Sequence, residues 1–219
     1  MLQYLQELFQ ELDFSVLQNL GLRCAAVLLC LTVHEACHGL AALALGDPTA
    51  KADRRLSLNP LRHIDWFGMA MMLIAGFGWA KAVPVNPRYF KKPKQGMALT
   101  ALAGPVSNFL LAVLLIGISK AIFLYCPYGV VWDVIFTFCL HIAAPLSVGL
   151  GLFNLLPFPP LDGSKVVAVI LPDQAYLKLM RYERYGILVL LALSYFGLTG
   201  NLISGAIMRV YELFFNVFY

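Results

Sequence analysis

Three long apolar runs constrain the fold of this chain more than any other feature of its sequence. They cover residues 16–45, 96–125 and 130–156. As helices, runs of this length reach about 40–45 Å, which exceeds the hydrocarbon thickness of a bilayer, about 30 Å. The 219 residues are 60% hydrophobic and only 13% charged, whereas a soluble domain carries about 25% charged residues. The runs therefore predict an all-α polytopic membrane protein, built as a transmembrane helix bundle.

Two further apolar stretches are less regular than these runs. The last one is divided by Thr199, Gly200 and Asn201 and predicts two shorter spans, 185–199 and 201–218. The other, 66–86, is short for a full span, contains glycines and ends in a Val-Pro-Val segment that favours extended backbone. Such backbone is tolerated in a membrane only where protein or water covers it. We therefore expect a re-entrant, membrane-associated extended or hairpin segment beside the bundle.

The N-terminal residues differ from a secretory signal peptide, because residues 1–13 contain no lysine or arginine. Leucines recur there at helical spacing, with Gln and Glu between them. This pattern predicts an interfacial amphipathic helix over residues 1–14. Residues 15–219 then form a single membrane-embedded domain, without an appended soluble domain.

The basic residues predict how the chain lies in its membrane. Lysines and arginines concentrate in residues 51–65 and 81–94, on both sides of the re-entrant stretch. Because positive charge marks the cytoplasmic side, both stretches are expected to be cytoplasmic. The net charge is a modest +4, and no nucleic-acid motif accompanies it, so we expect no nucleic-acid partner. The five cysteines are scattered and odd in number, which argues against a disulfide framework.

An HExxH motif lies inside the first apolar run, at residues 34–38. Its spacing places His34 and His38 on one face of a helix, where two neutral imidazoles can bind one Zn²⁺. Glu35 would then lie beside the metal as a general base for a water molecule. Titratable side chains at this depth in a membrane helix are costly and therefore indicate function.

A catalytic zinc needs a third protein ligand and an open fourth position. Asp162 is the favoured candidate, because it directly follows a membrane helix and a proline-rich bend that can present it to the bundle. Gly163 beside it permits tight packing. Asp47 and Asp53 remain alternative ligands.

At this point the sequence resembles the site-2 protease family of intramembrane zinc metalloproteases, over roughly residues 20–170. The matching stretches are His34–His38, Gly78–Asn86, Ala103–Asn108 and Asn154–Gly163, with Leu56–Asp65 resembling the small bacterial and archaeal members. HExxH alone is only moderately specific, but its combination with Asn154 and Asp162-Gly163 in this order is highly specific. Ala82 and Trp66 depart from the prolines common in relatives, and both departures concern the hairpin and its approach.

The resemblance implies a role for each matching residue. His34, His38 and Asp162 would bind one zinc ion per chain, and Glu35 would be the catalytic residue. Asn108 and Asn154 would be polar helpers near the metal, able to hold substrate backbone or developing oxyanion charge. The extended segment would correspond to a membrane-inserted hairpin that pairs with an unwound substrate.

The expected function is that of a zinc endopeptidase that hydrolyses transmembrane segments of other membrane proteins near the cytoplasmic face. Its partners would be these substrates, the lipid bilayer and a possible regulatory membrane partner. Two alternatives remain open from the residues alone. A membrane metal transporter or sensor would use the same ligands, although only His141 suggests a path to the outside. An inactive relative would bind membrane helices as a scaffold.

Overall fold

The computed structural model describes residues 14–68, 80–172 and 198–219, with residues 174, 175, 186, 188 and 192 between the last two ranges. The predicted interfacial helix 1–14 falls outside the described residues except for its last position. Most of the predicted re-entrant stretch, residues 69–79, also falls outside them.

The described part of the chain is helical and contains no strand. The helices are α1 (Phe14–Ala44), α2 (Thr49–Ala52), α3 (Pro93–Tyr125), α4 (Val130–Thr137), α5 (Ala144–Asn154), α6 (Asp162–Val167) and α7 (Leu198–Phe218). A π-helical segment, Phe138–Ala143, joins α4 to α5, and short 3-10 turns occur at Pro60–Arg62 and Pro87–Tyr89.

Three of the described helical stretches are long and apolar enough to cross a membrane: Gln18–Ala44, Pro93–Tyr125 and Val130–Asn154. They coincide with the three apolar runs of the sequence. The third is continuous because the π-helical segment carries the chain from α4 into α5 without a break. The predicted all-α membrane architecture is thereby confirmed.

The C-terminal region differs in detail from the expectation. Helix α7 is described from Leu198 and is helical through Thr199, Gly200 and Asn201, so the division predicted there does not interrupt it. Glycine is tolerated within a membrane helix because the backbone hydrogen bonds still close inside the helix. Most of the predicted span 185–199 falls outside the described residues.

The bundle core is built largely from small side chains. Ala26, Ala112, Ala143 and Ala144 are fully buried where α1, α3 and the π-helical segment meet. Small residues let helix backbones approach closely, which favours packing in a membrane where apolar burial alone gives little drive for association. Helix α7 adds a polar attachment, because the Tyr211 hydroxyl donates to the Leu140 carbonyl at 2.9 Å.

A turn after α5 directs α6 back towards the bundle. The Pro159–Pro160 peptide bond in this turn is cis. A Cβ atom at Gly163 would lie 2.2 Å from the Leu155 carbonyl oxygen and 2.4 Å from that of Leu156. Only glycine therefore allows α6 to begin this close to the end of α5. As a result Asp162, the first residue of α6, is buried and faces α1.

Candidate active site

The two histidines of the motif and Asp162 form one compact group. His34 Nε2 and His38 Nε2 are 2.9 Å apart, and the Asp162 Oδ2 atom is 3.1 Å from each of them. All three residues are buried, and their ligand atoms converge on one point. Residues 128 positions apart in sequence are thus brought together by the turn that precedes α6.

A backbone carbonyl fixes the protonation pattern of His38. Its Nδ1 lies 2.7 Å from the carbonyl oxygen of Thr100 on α3. A carbonyl can only accept a hydrogen bond, so Nδ1 carries the proton and donates it. The lone pair of the neutral ring is then on Nε2, the atom that faces His34 and Asp162. This orientation of a histidine by its second nitrogen is typical of metal ligands.

Asn108 performs the corresponding task for His34. The side-chain amide of Asn108 lies 3.2 Å from His34 Nδ1, while its carbonyl oxygen is buried without a hydrogen-bond partner. The oxygen and nitrogen of a carboxamide are assigned from their hydrogen bonds. Exchanging them lets the oxygen accept from His34 Nδ1–H. His34 Nε2 is then also free to bind a metal.

A glycine on α3 makes room for both imidazoles. A Cβ atom at Gly104 would lie 2.5 Å from His38 Nε2 and 2.6 Å from His34 Cε1. The backbone of α3 therefore forms one wall of the site directly against the two rings. No sequence motif for metal ligands includes such a residue, but the AGPVSN stretch that contains it carried the resemblance.

The residues present fit a catalytic zinc ion. Tetrahedral zinc bonds of about 2.0–2.1 Å place neighbouring ligand atoms about 3.3 Å apart, close to the spacing observed here. Two imidazole lone pairs and a carboxylate oxygen at this spacing repel one another unless a cation lies between them. Three protein ligands also leave a fourth position open, as a catalytic rather than a structural zinc requires.

The second oxygen of Asp162 faces a cation. Lys165 Nζ lies 3.7 Å from Oδ1, whereas Oδ2 faces the histidines. The carboxylate therefore offers a single oxygen, Oδ2, to the metal.

Glu35 lies beside the ligand group and outside it. Its side chain is buried, and Oε2 accepts a hydrogen bond of 2.8 Å from the backbone N–H of Val83. Val83 belongs to residues 80–86, which have no helical or strand structure up to the turn at Pro87. Among the described residues Oε1 has no hydrogen-bond partner, so it is available for proton transfer. The sequence gave no sign of this backbone partner of Glu35.

The two asparagines, predicted as polar helpers near the metal, occupy different positions relative to the ligand group. Asn108 is fully buried behind His34, on the side away from the other two ligands. Asn154 donates its amide to the Leu150 carbonyl on its own helix at 3.0 Å. Asn108 therefore orients a ligand, whereas Asn154 lies at the end of α5, half-buried, next to the turn that leads to Asp162.

Asp47 anchors the extended segment, residues 80–86. It is fully buried, accepts from Asn86 N–H at 2.6 Å and accepts from Thr49 N–H at 2.9 Å. Burial raises its pKa, but the hydrogen bonds from Thr49 and Asn86 outweigh burial and lower it below the ordinary value. Neither Asp47 nor the exposed Asp53 joins the ligand group, so the alternative ligands are not supported by the geometry.

Known proteins that resemble this chain are consistent with such a site. Residues 118–196 match the model of peptidase family M50. The chain is 43% identical over 166 residues to a Bacillus subtilis protein named "Putative zinc metalloprotease YwhC", with 74% of each chain covered. It is 30% identical over 176 residues to "Putative zinc metalloprotease Rip2" of Mycobacterium tuberculosis, covering 77% of this chain and 64% of the relative. No solved structure matches.

Together with these relatives, a buried group of zinc-ligand side chains between helices that can cross a membrane defines an intramembrane zinc metalloprotease. The chain belongs to peptidase family M50, the site-2 protease family. The resemblance noted in the sequence and the zinc cofactor are thereby confirmed.

Proposed function

We propose that this protease cleaves transmembrane segments of other membrane proteins near the cytoplasmic face of a prokaryotic cell membrane. The observation that carries the proposal is the group of His34, His38 and Asp162 with Glu35 beside it, buried within helices that can span a bilayer. Its bacterial relatives support the setting. The proposed partners are these transmembrane substrates and a regulatory membrane protein.

The chain's own residues supply binding, orientation and proton transfer. Bound zinc supplies Lewis-acid activation of a water molecule and of the scissile carbonyl. Glu35 accepts the proton of the attacking water at Oε1 and passes it to the leaving amine nitrogen. Val83 N–H holds Oε2, which fixes the carboxylate for both transfers. Asn154, once its side chain leaves Leu150, is the candidate to hold the oxyanion.

A substrate helix must unwind before its backbone can reach this site, because helical hydrogen bonds hide the carbonyl oxygens. The extended segment beside Glu35 offers a place where an unwound substrate could pair. Substrate spans with Gly or Pro should therefore be cleaved faster than uniformly helical ones. Cleavage that is insensitive to helix-breaking substitutions in the substrate would contradict this mode of entry.

The decisive experiment compares Glu35→Gln with the wild type on a single-span substrate in detergent. Glutamine keeps an oxygen for Val83 N–H but cannot take a proton, so we expect cleavage to fall about 10²–10⁴-fold with zinc content unchanged. Glu212→Gln, at an exposed position on α7, is the matched control. An active Glu35→Gln variant would exclude Glu35 as the base.

The wild type and the Glu35→Gln variant also distinguish the protease from the two alternatives, a metal transporter or sensor and an inactive scaffold. A metal transporter in vesicles would move zinc across the bilayer, and Glu35→Gln would have no special effect on that flux. A scaffold would bind helix-destabilised spans without cutting any of them, in wild type and variant alike. Either result would replace the protease proposal.

Sidedness can be tested with a native cysteine. Cys126 is exposed in the turn after α3, whereas Thr100 of the active site lies 26 positions earlier on the same helix, about 39 Å away. If the site faces the cytoplasm, a membrane-impermeant maleimide labels Cys126 on intact cells. Cys126→Ser should abolish that labelling. If labelling requires cell lysis, Cys126 faces the cytoplasm and the active site faces the opposite side of the membrane.

A further inference from the structure

A basic concavity of about 400 Å³ lies beside the extended segment. We define it by Asp53, Arg54, Arg55, Arg62, Trp66 and Lys81, which line it. Four of these side chains are cationic and Asp53 is the acidic one, so the lining is strongly positive. The proteolytic mechanism uses none of these side chains.

Two of the four cations already have partners in the backbone. The Arg55 guanidinium donates to the carbonyl oxygens of Lys81 at 2.6 Å and Ala82 at 3.2 Å, and also to that of Arg62. Arg62 in turn donates to the Arg54 carbonyl at 2.7 Å. These bonds shape the loop around the basic concavity and tie it to the extended segment.

The other two cationic side chains are those of Arg54 and Lys81, and both are exposed. Within the part of the chain that the structure describes, neither makes a hydrogen bond or an ion pair. Lys81 is held only through its backbone, whose N–H donates to the His63 carbonyl at 2.9 Å. Both charged groups are therefore free to bind an anion in the basic concavity.

Exposed apolar side chains lie beside these cations, in a loop next to the end of a helix that can cross a membrane. Trp66 is 74% exposed, and Leu61 and Leu58 are similarly exposed. The loop follows the end of α1 at Ala44 and precedes the apolar stretch that starts at Trp66. Tryptophan is enriched at this interfacial level. Free cations next to exposed apolar side chains match a lipid headgroup better than a soluble anion.

We propose that the basic concavity binds the phosphate headgroup of an anionic phospholipid. Arg54 and Lys81 pair with the phosphate, and Trp66 and Leu61 contact the glycerol and upper acyl region. Basic pockets at the membrane interface recognise anionic lipids in this way. The binding itself is independent of the proposed proteolysis.

Occupation of the basic concavity would bear on the active site through a short chain of contacts. Lys81 precedes Val83 by two residues, and Val83 N–H holds the Glu35 carboxylate. A headgroup bound to Lys81 would restrict the extended segment and thereby keep Glu35 in place. This consequence, unlike the binding, rests on the proposed function.

The test measures lipid binding to the full chain rather than cleavage. The purified protein is equilibrated with mixed micelles of phosphatidylglycerol and phosphatidylcholine, and native mass spectrometry quantifies the lipid retained. We expect preferential retention of phosphatidylglycerol by the wild type. Each basic residue near an anionic surface contributes about a fivefold factor in binding. Arg54→Gln/Lys81→Gln should therefore weaken retention by about tenfold or more.

Lys91→Gln/Lys92→Gln is the matched control, because it removes two exposed charges of the same basic region outside the basic concavity. This control should retain the lipid as the wild type does. Equal loss in both double variants, or equal retention of the two lipids by the wild type, would overturn the proposal. Displacement of the lipid by glycerol phosphate at matched concentration would also overturn it, in favour of a soluble-anion site.

Discussion

At the scale of single residues, the metal site depends on a glycine whose lack of a side chain leaves room for the ligands. Gly104 leaves the space that the rings of His34 and His38 occupy. We expect Gly104→Ala to displace both imidazoles and to reduce bound zinc by at least about tenfold, as disruption of outer-shell support does. Alanine favours helix more than glycine, so α3 itself should persist. Metal analysis of the purified variant measures the effect.

Gly21→Ala provides the control for this substitution. A Cβ atom at Gly21 on α1 would meet nothing within 4 Å. The Gly21→Ala protein should keep its zinc in full. Wild-type zinc content in Gly104→Ala would show that the rings can move aside without losing the metal.

Asn108 gives a second prediction at this scale. As a positioning residue for His34, it should act through the acceptor that its side chain presents to Nδ1. Asn108→Leu removes this acceptor and is expected to weaken zinc binding about 10–100-fold. Asn108→Asp keeps an acceptor and should restore most of the affinity, which a chelator competition would show. If both variants bind zinc like the wild type, His34 does not need this partner.

At the scale of elements, the extended segment is attached at both ends to the neighbourhood of α1. Arg55 holds the carbonyls of Lys81 and Ala82, Glu35 holds Val83 N–H, and Asp47 holds Asn86 N–H. The segment gains its order from these polar attachments instead of a sheet. Its position therefore depends on the charge state of the carboxylates that hold it.

The Asp47 attachment predicts a dependence of stability on pH. Its pKa in the folded protein is lower than the ordinary value of about 4. The stabilisation is therefore complete above that ordinary value and is lost as the pH falls through the folded pKa. Asp47→Asn places an amide donor or a neutral oxygen against Asn86 N–H and should cost about 1–3 kcal/mol at neutral pH.

The measurement is the difference in thermal midpoint between wild type and Asp47→Asn at several pH values. We expect the wild type to be more stable at pH about 7 and the difference to shrink as the pH falls well below about 4. Both proteins keep the metal ligands, so acid release of zinc affects them alike. A difference that stays constant with pH would mean that the charge of Asp47 does not hold the segment.

The elements themselves could be read from the sequence, because membrane spans follow from local composition and length. The histidines and Asp162 were also predictable, since HExxH and the Asp-Gly after a proline bend have fixed chemistry and spacing. The backbone groups that hold His38 and Glu35 could not be predicted. Thr100 contributes its carbonyl and Val83 its N–H, and every residue type except proline carries both groups. Asn108 was recognised as relevant, but its side of the histidine depends on helix packing.

At the scale of the whole molecule, the ligands join parts of the chain that are distant in sequence. His34 and His38 belong to α1, the first described span, and Asp162 follows the third. Between them lies α3, which supplies Thr100, Gly104 and Asn108. The metal group thus lies where three packed elements meet, and binding a cation there links their relative positions.

This arrangement makes the stability of the bundle dependent on zinc. A ligand that binds only the folded state stabilises it according to its concentration relative to Kd, by about 4 kcal/mol at a thousandfold excess. We expect a chelator to lower the thermal midpoint of the detergent-solubilised protein by several degrees, and added Zn²⁺ to restore it while Ca²⁺ does not. Asp162→Asn should show no such response, because an amide replaces the charged ligand. Equal midpoints of the wild type with chelator and with zinc, at confirmed metal occupancy, would show that α6 stays on α1 without the ion.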